Sequence, residues 1–116
     1  MTEQEKSEML LEERYATLRS KVRDIYQECH IRSFAKKVNT DRLDVLRSKK
    51  ITFFNRKKVQ LEIDSLEQEN SDIDVFLGQL EDMLIPLASE MEDIEGKIGD
   101  RLCSLYGKDY NWWVRK

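Results

Sequence analysis

The stretch from Val59 to Ile98 reads VQLEIDSLEQENSDIDVFLGQLEDMLIPLASEMEDIEGKI, and it decides the fold. Apolar residues recur along it at alternating steps of four and three, and only one of these positions is polar. Such spacing predicts a helix that packs its apolar side against other helices, as in coiled coils. This long repeat consists of Val59, Ile63, Leu66, Asn70, Ile73, Leu77, Leu80, Leu84, Leu87, Met91, Ile94 and Ile98.

A second repeat with the same spacing lies near the N-terminus and predicts a first helix over about 5–38. Thr2 and Glu5 have the spacing of a capping box at its start. After Cys29 the apolar positions change phase, and the polar run 39–41 predicts a break in the helix. The repeat consists of Leu11, Tyr15, Leu18, Val22, Ile25 and Cys29, and Ile31, Phe34 and Val38 follow in the shifted phase.

The remainder of the chain predicts a long helical segment over about 41–106, with Gly107 as its stop. Three places could interrupt this segment: 54–58, Asn70 and Pro86. Proline disfavours a helix interior because it lacks an N–H and clashes with the preceding turn. The long repeat keeps its phase across Pro86, which favours a kinked but continuous helix.

Charge is segregated along the chain. Residues 19–58 carry 13 basic and 4 acidic groups, whereas 59–96 carry 12 acidic groups and no Lys or Arg. A parallel in-register dimer would stack the acidic block on its own copy, so we expect helices that pair antiparallel by opposite charge. The alternative is that the two blocks are independently solvated faces.

Asn70 has two interpretations of its own. An asparagine inside such a repeat favours pairing with an identical asparagine, which would indicate a parallel dimer. Alternatively, Asn70 caps a helix at a break and is never buried. The charge blocks involve more residues, so the antiparallel arrangement is the one we expect.

Composition excludes several classes of protein. The chain has 116 residues and a net charge of −3, and its four glycines and one proline are too few for an all-β fold. No signal peptide or membrane-spanning stretch is evident, and the two cysteines, Cys29 and Cys103, favour a reduced intracellular setting, in cytoplasm or nucleus. His30 is the only histidine, and no phosphate-binding glycine motif occurs. We therefore expect no enzyme activity, no catalytic residues, no cofactor, no metal and no small-molecule ligand.

One segment combines cations with aromatic rings. Nucleic acid could use the cations for phosphate contacts and the rings for stacking, whereas the rings could equally be core anchors. The acidic isoelectric point and the acidic block make nucleic acid the less favoured partner, and a membrane role is weaker because the apolar face is short. This basic patch, within 47–58, consists of Lys49, Lys50, Phe53, Phe54, Arg56, Lys57 and Lys58.

The C-terminal tail, 107–116, is rich in aromatic residues. Tryptophan, tyrosine and arginine are enriched in binding hot spots. The tail therefore either docks into another protein or folds back over the ends of the helices. The docking residues would be Tyr110, Trp112 and Trp113.

These observations predict an all-α fold, an elongated antiparallel helical hairpin or three-helix coiled coil, with one domain over 1–106. The first helix would be too short to cover the long repeat, so we expect a helical protein partner, in a hetero-oligomer rather than a homodimer. The expected function is a non-catalytic scaffold subunit that bridges a multiprotein assembly. An acidic rod that mimics a phosphate backbone is a weaker alternative. The interface residues would be Ile63, Leu66, Ile73, Leu77, Leu80, Leu84, Leu87, Met91, Ile94 and Ile98.

Overall fold

The chain forms two long helices. A computed structural model describes residues 2–108 and residue 110, and within them α1 spans Glu3–Ser48 and α2 spans Arg56–Tyr106. No strand occurs in this part of the chain, so the prediction of an all-helical fold is confirmed. Within the same residues, neither helix has a stretch long and apolar enough to cross a membrane.

The N-terminal cap of α1 matches its prediction. The backbone N–H of Glu5 donates to Thr2 Oγ1 at 3.2 Å, and the N–H of Lys6 donates to the Thr2 carbonyl at 3.1 Å. These bonds satisfy donors that have no partner within the helix itself. The first helix therefore begins at Glu3, slightly before the expected start.

The predicted break at 39–41 is wrong, because α1 continues to Ser48. The hydroxyl of Thr40 donates to the Lys36 carbonyl at 2.9 Å, one helical turn earlier, so this polar side chain is satisfied inside the helix. The change of phase after Cys29 is also wrong. The buried positions of α1 continue at the original spacing through Asn39, Leu43 and Leu46.

The connection between the helices lies at residues 49–55, slightly before the interruption expected at 54–58. Its last turn resembles a capping box, in which the Thr52 N–H donates to Asn55 Oδ1 at 2.8 Å. The Arg56 N–H then donates to the Thr52 carbonyl at 3.0 Å, which opens α2.

Helix α2 is continuous through Asn70 and Pro86, as the unbroken phase of the long repeat indicates. Pro86 has no N–H to donate to the Asp82 carbonyl. Both residues are exposed, so water can hydrogen-bond to that carbonyl instead. The one non-helical residue is Ile98, with φ −130° and ψ 30°. Gly96 and Gly99 flank it, and glycine costs a helix about 1 kcal/mol relative to alanine.

The end of α2 is confirmed at Tyr106. Gly107 has a φ of +85°, which glycine adopts without steric penalty. Its N–H donates to the Cys103 carbonyl at 2.9 Å and closes the last turn.

The chain divides into two compact units, each containing part of α1 and part of α2. The first unit is formed by the chain up to Ile25 together with the chain from Asp82, and the second is Tyr26–Glu81. The core of the second unit includes Leu43, Leu46, Val59 and Ile63, with Leu66 packed against it. In the first unit the buried residues are Tyr15, Leu18, Val22, Ile25, Met91, Ile94, Ile98 and Leu102. The single domain expected over 1–106 stays a prediction.

Ion pairs join the two helices within each unit and confirm the antiparallel pairing by charge. In the second unit, the basic segment of α1 pairs with the acidic segment of α2 through Lys36–Asp74, Arg42–Glu62 and Arg47–Glu67. In the first unit Arg14 pairs with Glu90, and Arg101 pairs with Glu8 and Glu12. Exposed pairs contribute only about 0–1 kcal/mol each, so they select an orientation more than they stabilise the fold.

Candidate protein-interaction surfaces

Asn70 lies in neither of the settings expected from the sequence. It is half-buried inside the continuous α2, and its Oδ1 accepts a hydrogen bond from Nδ2 of Asn39 at 3.0 Å. Asn39, only 9% exposed, is the buried polar residue of the described chain. The asparagine pair therefore forms within one chain, between the antiparallel helices of the second unit. A polar pair in an otherwise apolar contact is satisfied in one register only.

The long repeat is largely covered inside the chain. Six of the ten expected interface residues are buried: Ile63, Ile73, Leu80, Met91, Ile94 and Ile98. The other four are half-buried: Leu66, Leu77, Leu84 and Leu87. The argument that the first helix is too short is wrong, because α1 has 46 residues against 51 in α2. A role of these residues between subunits stays a prediction.

An apolar row on α1 faces solvent in the second unit. It consists of Ile31, Phe34, Val38 and Val45, which are 59%, 65%, 50% and 48% exposed. Their steps of three, four and seven place them on one side of the helix, away from buried Asn39, Leu43 and Leu46. We call these four residues the α1 stripe. The apparent change of phase in the sequence is thus a second apolar face.

A groove borders the α1 stripe. The guanidinium of Arg32 stacks 4.7 Å from the centroid of the Phe76 ring, and Arg32 also pairs with Glu28. Ala35 lies next to Phe34 in the chain and lines the groove, so a ligand in the groove would lie beside the stripe. The lining residues are Arg32, Ala35, Glu69, Asp72, Ile73 and Phe76.

The basic patch lies at the connecting end of the second unit. Phe53 and Phe54 are 89% and 94% exposed, and their ring centroids are 5.8 Å apart in an edge-to-face arrangement. The interpretation of these rings as core anchors is therefore wrong. Within the described residues, none of the patch cations forms an ion pair: Lys49, Lys50, Arg56, Lys57 and Lys58 are all exposed.

The described part of the tail folds back against α1 and α2 within the first unit. The Tyr15 hydroxyl lies 2.7 Å from Glu95 Oε1 and 3.2 Å from the backbone carbonyl oxygen of Tyr110. The Tyr110 hydroxyl in turn lies 3.4 Å from where a Cβ on Gly99 would stand. Trp112 and Trp113 lie outside the described residues, so their docking role stays a prediction.

Burial shifts the pKa values of the ionisable side chains in this cluster. Desolvation raises the pKa of the Glu95 carboxyl, and the hydrogen bond from Tyr15 opposes that shift. Desolvation also raises the pKa of the Tyr15 phenol above its ordinary value, and the bond to Glu95 adds to it. On the surface of the same unit, the hydrogen bond from Arg14 lowers the pKa of the Glu90 carboxyl.

Sequence reasoning missed this cluster because its members are far apart in the chain. Tyr15 belongs to the first repeat and Tyr110 to the tail, whereas Glu95 occupies no repeat position. Tyr106 completes the cluster, with its ring 6.2 Å from that of Tyr15 and 4.0 Å from the guanidinium carbon of Arg19. No sequence signal marked Glu95, since acidic residues surround it.

The described residues hold no group of three or more side chains suited to binding a metal ion. Comparison with known proteins gives no further guide: no family model, curated protein or solved structure matches the chain.

Proposed function

We propose that this protein is a non-catalytic subunit that bridges a multiprotein assembly by accepting a helix of another subunit. The observation that carries the proposal is the α1 stripe, four large apolar side chains in a row with no covering element among the described residues. Rows of this kind mark binding surfaces, whereas apolar residues exposed singly are normal.

The balance of buried and exposed side chains supports this function. The described residues bury 14 hydrophobic side chains and expose 14 large ones, so as many large apolar side chains are available to a partner as are buried in the core. Leu66 and Leu77 of the second unit are also only half-buried. A third helix beside the α1 stripe would extend this packing and complete a three-helix coiled coil.

The groove beside the stripe supports the position of that helix. A helix lying there would contact Ala35 on α1 and Phe76 on α2, as a third helix contacts both of its neighbours in a bundle. Over Tyr26–Ser48, α1 carries five basic and three acidic residues. This small excess favours a partner helix with acidic flanking positions.

The free energy available from burying the α1 stripe favours a different protein as the partner over a second copy of this chain. Each stripe residue is already about half covered, so its complete burial would contribute about 1 kcal/mol. A stripe-to-stripe homodimer would therefore gain about 8 kcal/mol, which falls within the cost of association of about 4–15 kcal/mol. A partner helix that also fills the groove makes more contacts and is the arrangement we propose.

The test places a photo-crosslinking amino acid at Phe34 in cells that express the protein, with Val75 as the matched control. Val75 is 61% exposed on α2 and has no apolar row around it. We expect position 34 to crosslink one protein strongly, and Phe34→Asp to remove that protein from the purified complex without loss of helicity. Equal crosslinking from both positions, or none from 34, would overturn the proposal.

A further inference from the structure

We propose that the connecting end of the second unit is a membrane-docking site for surfaces rich in anionic lipids. The site, which we call the apex, is residues 49–58. It presents an apolar group between two clusters of cations. This inference does not depend on the bridging function, since the apex and the α1 stripe share no residue.

The apolar group is unusually exposed. Ile51 is 54% exposed, and Phe53 and Phe54 are almost fully exposed, so none of the three packs into the core of the second unit. The capping bonds between Thr52 and Asn55 fix the turn that carries the two rings. A folded turn that holds two phenylalanines in water indicates a surface that binds them.

The cations lie on both sides of the apolar group in the chain. Lys49 and Lys50 precede it, and Arg56, Lys57 and Lys58 follow it. All five are exposed and form no ion pair within the described residues, in contrast to Arg42 and Arg47 farther along the same unit. Each cation near an anionic lipid surface strengthens binding about fivefold, and the aromatic rings insert at the headgroup level.

Charge beyond the apex favours a membrane over a nucleic acid. From Val59 to Gly96 no Lys or Arg occurs, and Glu62 and Asp64 begin the acidic segment one turn after the apex. A nucleic-acid strand following α2 would be repelled, whereas a membrane touches the apex alone. The two rings are also perpendicular, at 85°, and offer no parallel platforms for successive bases. Ile51 would contribute to insertion and nothing to stacking.

The test measures sedimentation of the full chain with vesicles of phosphatidylcholine alone or with about 30% phosphatidylserine. We expect binding only to the anionic vesicles and weaker binding as salt rises. The variant Lys57→Gln/Lys58→Gln should bind about 25-fold more weakly. The double variant Phe53→Ser/Phe54→Ser should lose binding at least tenfold.

Two matched controls test whether vesicle binding depends on the apex or on any exposed cation or apolar side chain. Lys37→Gln removes an exposed α1 cation, and Val75→Ser removes an exposed α2 side chain, and both should bind like the unchanged protein. Phe34→Asp should also bind vesicles normally, so a failed bridging function would leave this result intact.

A labelled single-stranded oligonucleotide of about 20 nucleotides is titrated in parallel at low salt. Binding to the oligonucleotide with none to vesicles would overturn the proposal and assign the apex to nucleic acid. Equal binding to both kinds of vesicle, or binding to neither vesicle, would overturn it as well.

Discussion

At the scale of single residues, the asparagine pair shows why the sequence could not settle the pairing of the helices. Asn70 stands out in the long repeat, but Asn39 lies in what reads as a polar break. The bond between Asn39 and Asn70 becomes visible only when α1 is continuous through 39–41. The register of the two helices therefore depends on two asparagines, of which one lies in the long repeat and the other in a polar run that predicts a break.

The pair predicts an asymmetry between single and double substitution. Asn70→Leu leaves the buried Asn39 amide without its acceptor and should lower the free energy of unfolding by about 1–3 kcal/mol. Asn39→Leu/Asn70→Leu should recover most of that loss, because an apolar pair replaces the polar one. Urea denaturation measures both, with exposed Gln79→Leu as the control. A double variant as unstable as the sum of two singles would contradict this account.

Glu95 predicts a pH dependence with a definite sign. Its folded pKa is raised, so the folded state holds the proton more tightly than the unfolded state does. The contribution to stability is therefore full below the unfolded pKa and declines as pH rises through the folded pKa. Glu95→Gln imitates the protonated carboxyl and still accepts from Tyr15.

We expect Glu95→Gln to match the unchanged protein in acid and to be more stable near neutral pH, in chemical denaturation at several pH values. Exposed Asp93→Asn is the control and should show no such divergence. Equal stability of Glu95→Gln and the unchanged protein at every pH would contradict the burial of this carboxyl.

At the scale of elements, the spacing of apolar residues and the local end signals predicted most helix positions correctly. The first repeat through Cys29, the continuity of α2 across Pro86 and its end at Tyr106 all follow from local patterns. The second half of α1 did not, because Arg32, Lys36 and Asn39 occupy three successive repeat positions. Ile31, Phe34 and Val38 form a row beside them, and apolar spacing alone cannot say which of two rows is buried.

The two faces of α1 predict opposite sensitivities to the same kind of truncation. Leu43 is 4% exposed, and Leu43→Ala should cost about 2–5 kcal/mol of unfolding free energy. Val38 is half exposed, and Val38→Ala should change the free energy of unfolding by less than about 0.5 kcal/mol. Thermal or urea denaturation of the purified chain compares them directly. A larger loss at Val38 would mean that the shifted phase is the buried one.

At the scale of the whole molecule, charge segregation was the most informative global feature of the sequence. It predicted antiparallel pairing, and cross-helix ion pairs in each unit confirm that pairing. Exposure at the apex was not predictable, because Phe53 and Phe54 satisfy the criteria for a core residue as well as those for a binding residue. Only the position of the connection at 49–55 distinguishes the two.

The purified chain should be a monomer near 13.9 kDa by light scattering at micromolar concentration. The reason is that its long repeat is covered internally and the α1 stripe alone buries too little for a stable homodimer. Phe34→Asp should leave this mass unchanged. A stable dimer that Phe34→Asp dissolves would identify the partner helix as a second copy.

The charge blocks also determine how the protein can be cut. Trypsin cleaves after lysine and arginine, so residues 49–58 offer five sites, whereas the chain from Val59 to Lys97 contains none before its last residue. Mild digestion at Lys49, Lys50 or Arg56 would separate α1 from α2, and the 39 residues from Val59 to Lys97 offer no internal site for a further cut. In such a nicked form the two helices would be held together by side-chain packing and by the ion pairs between them.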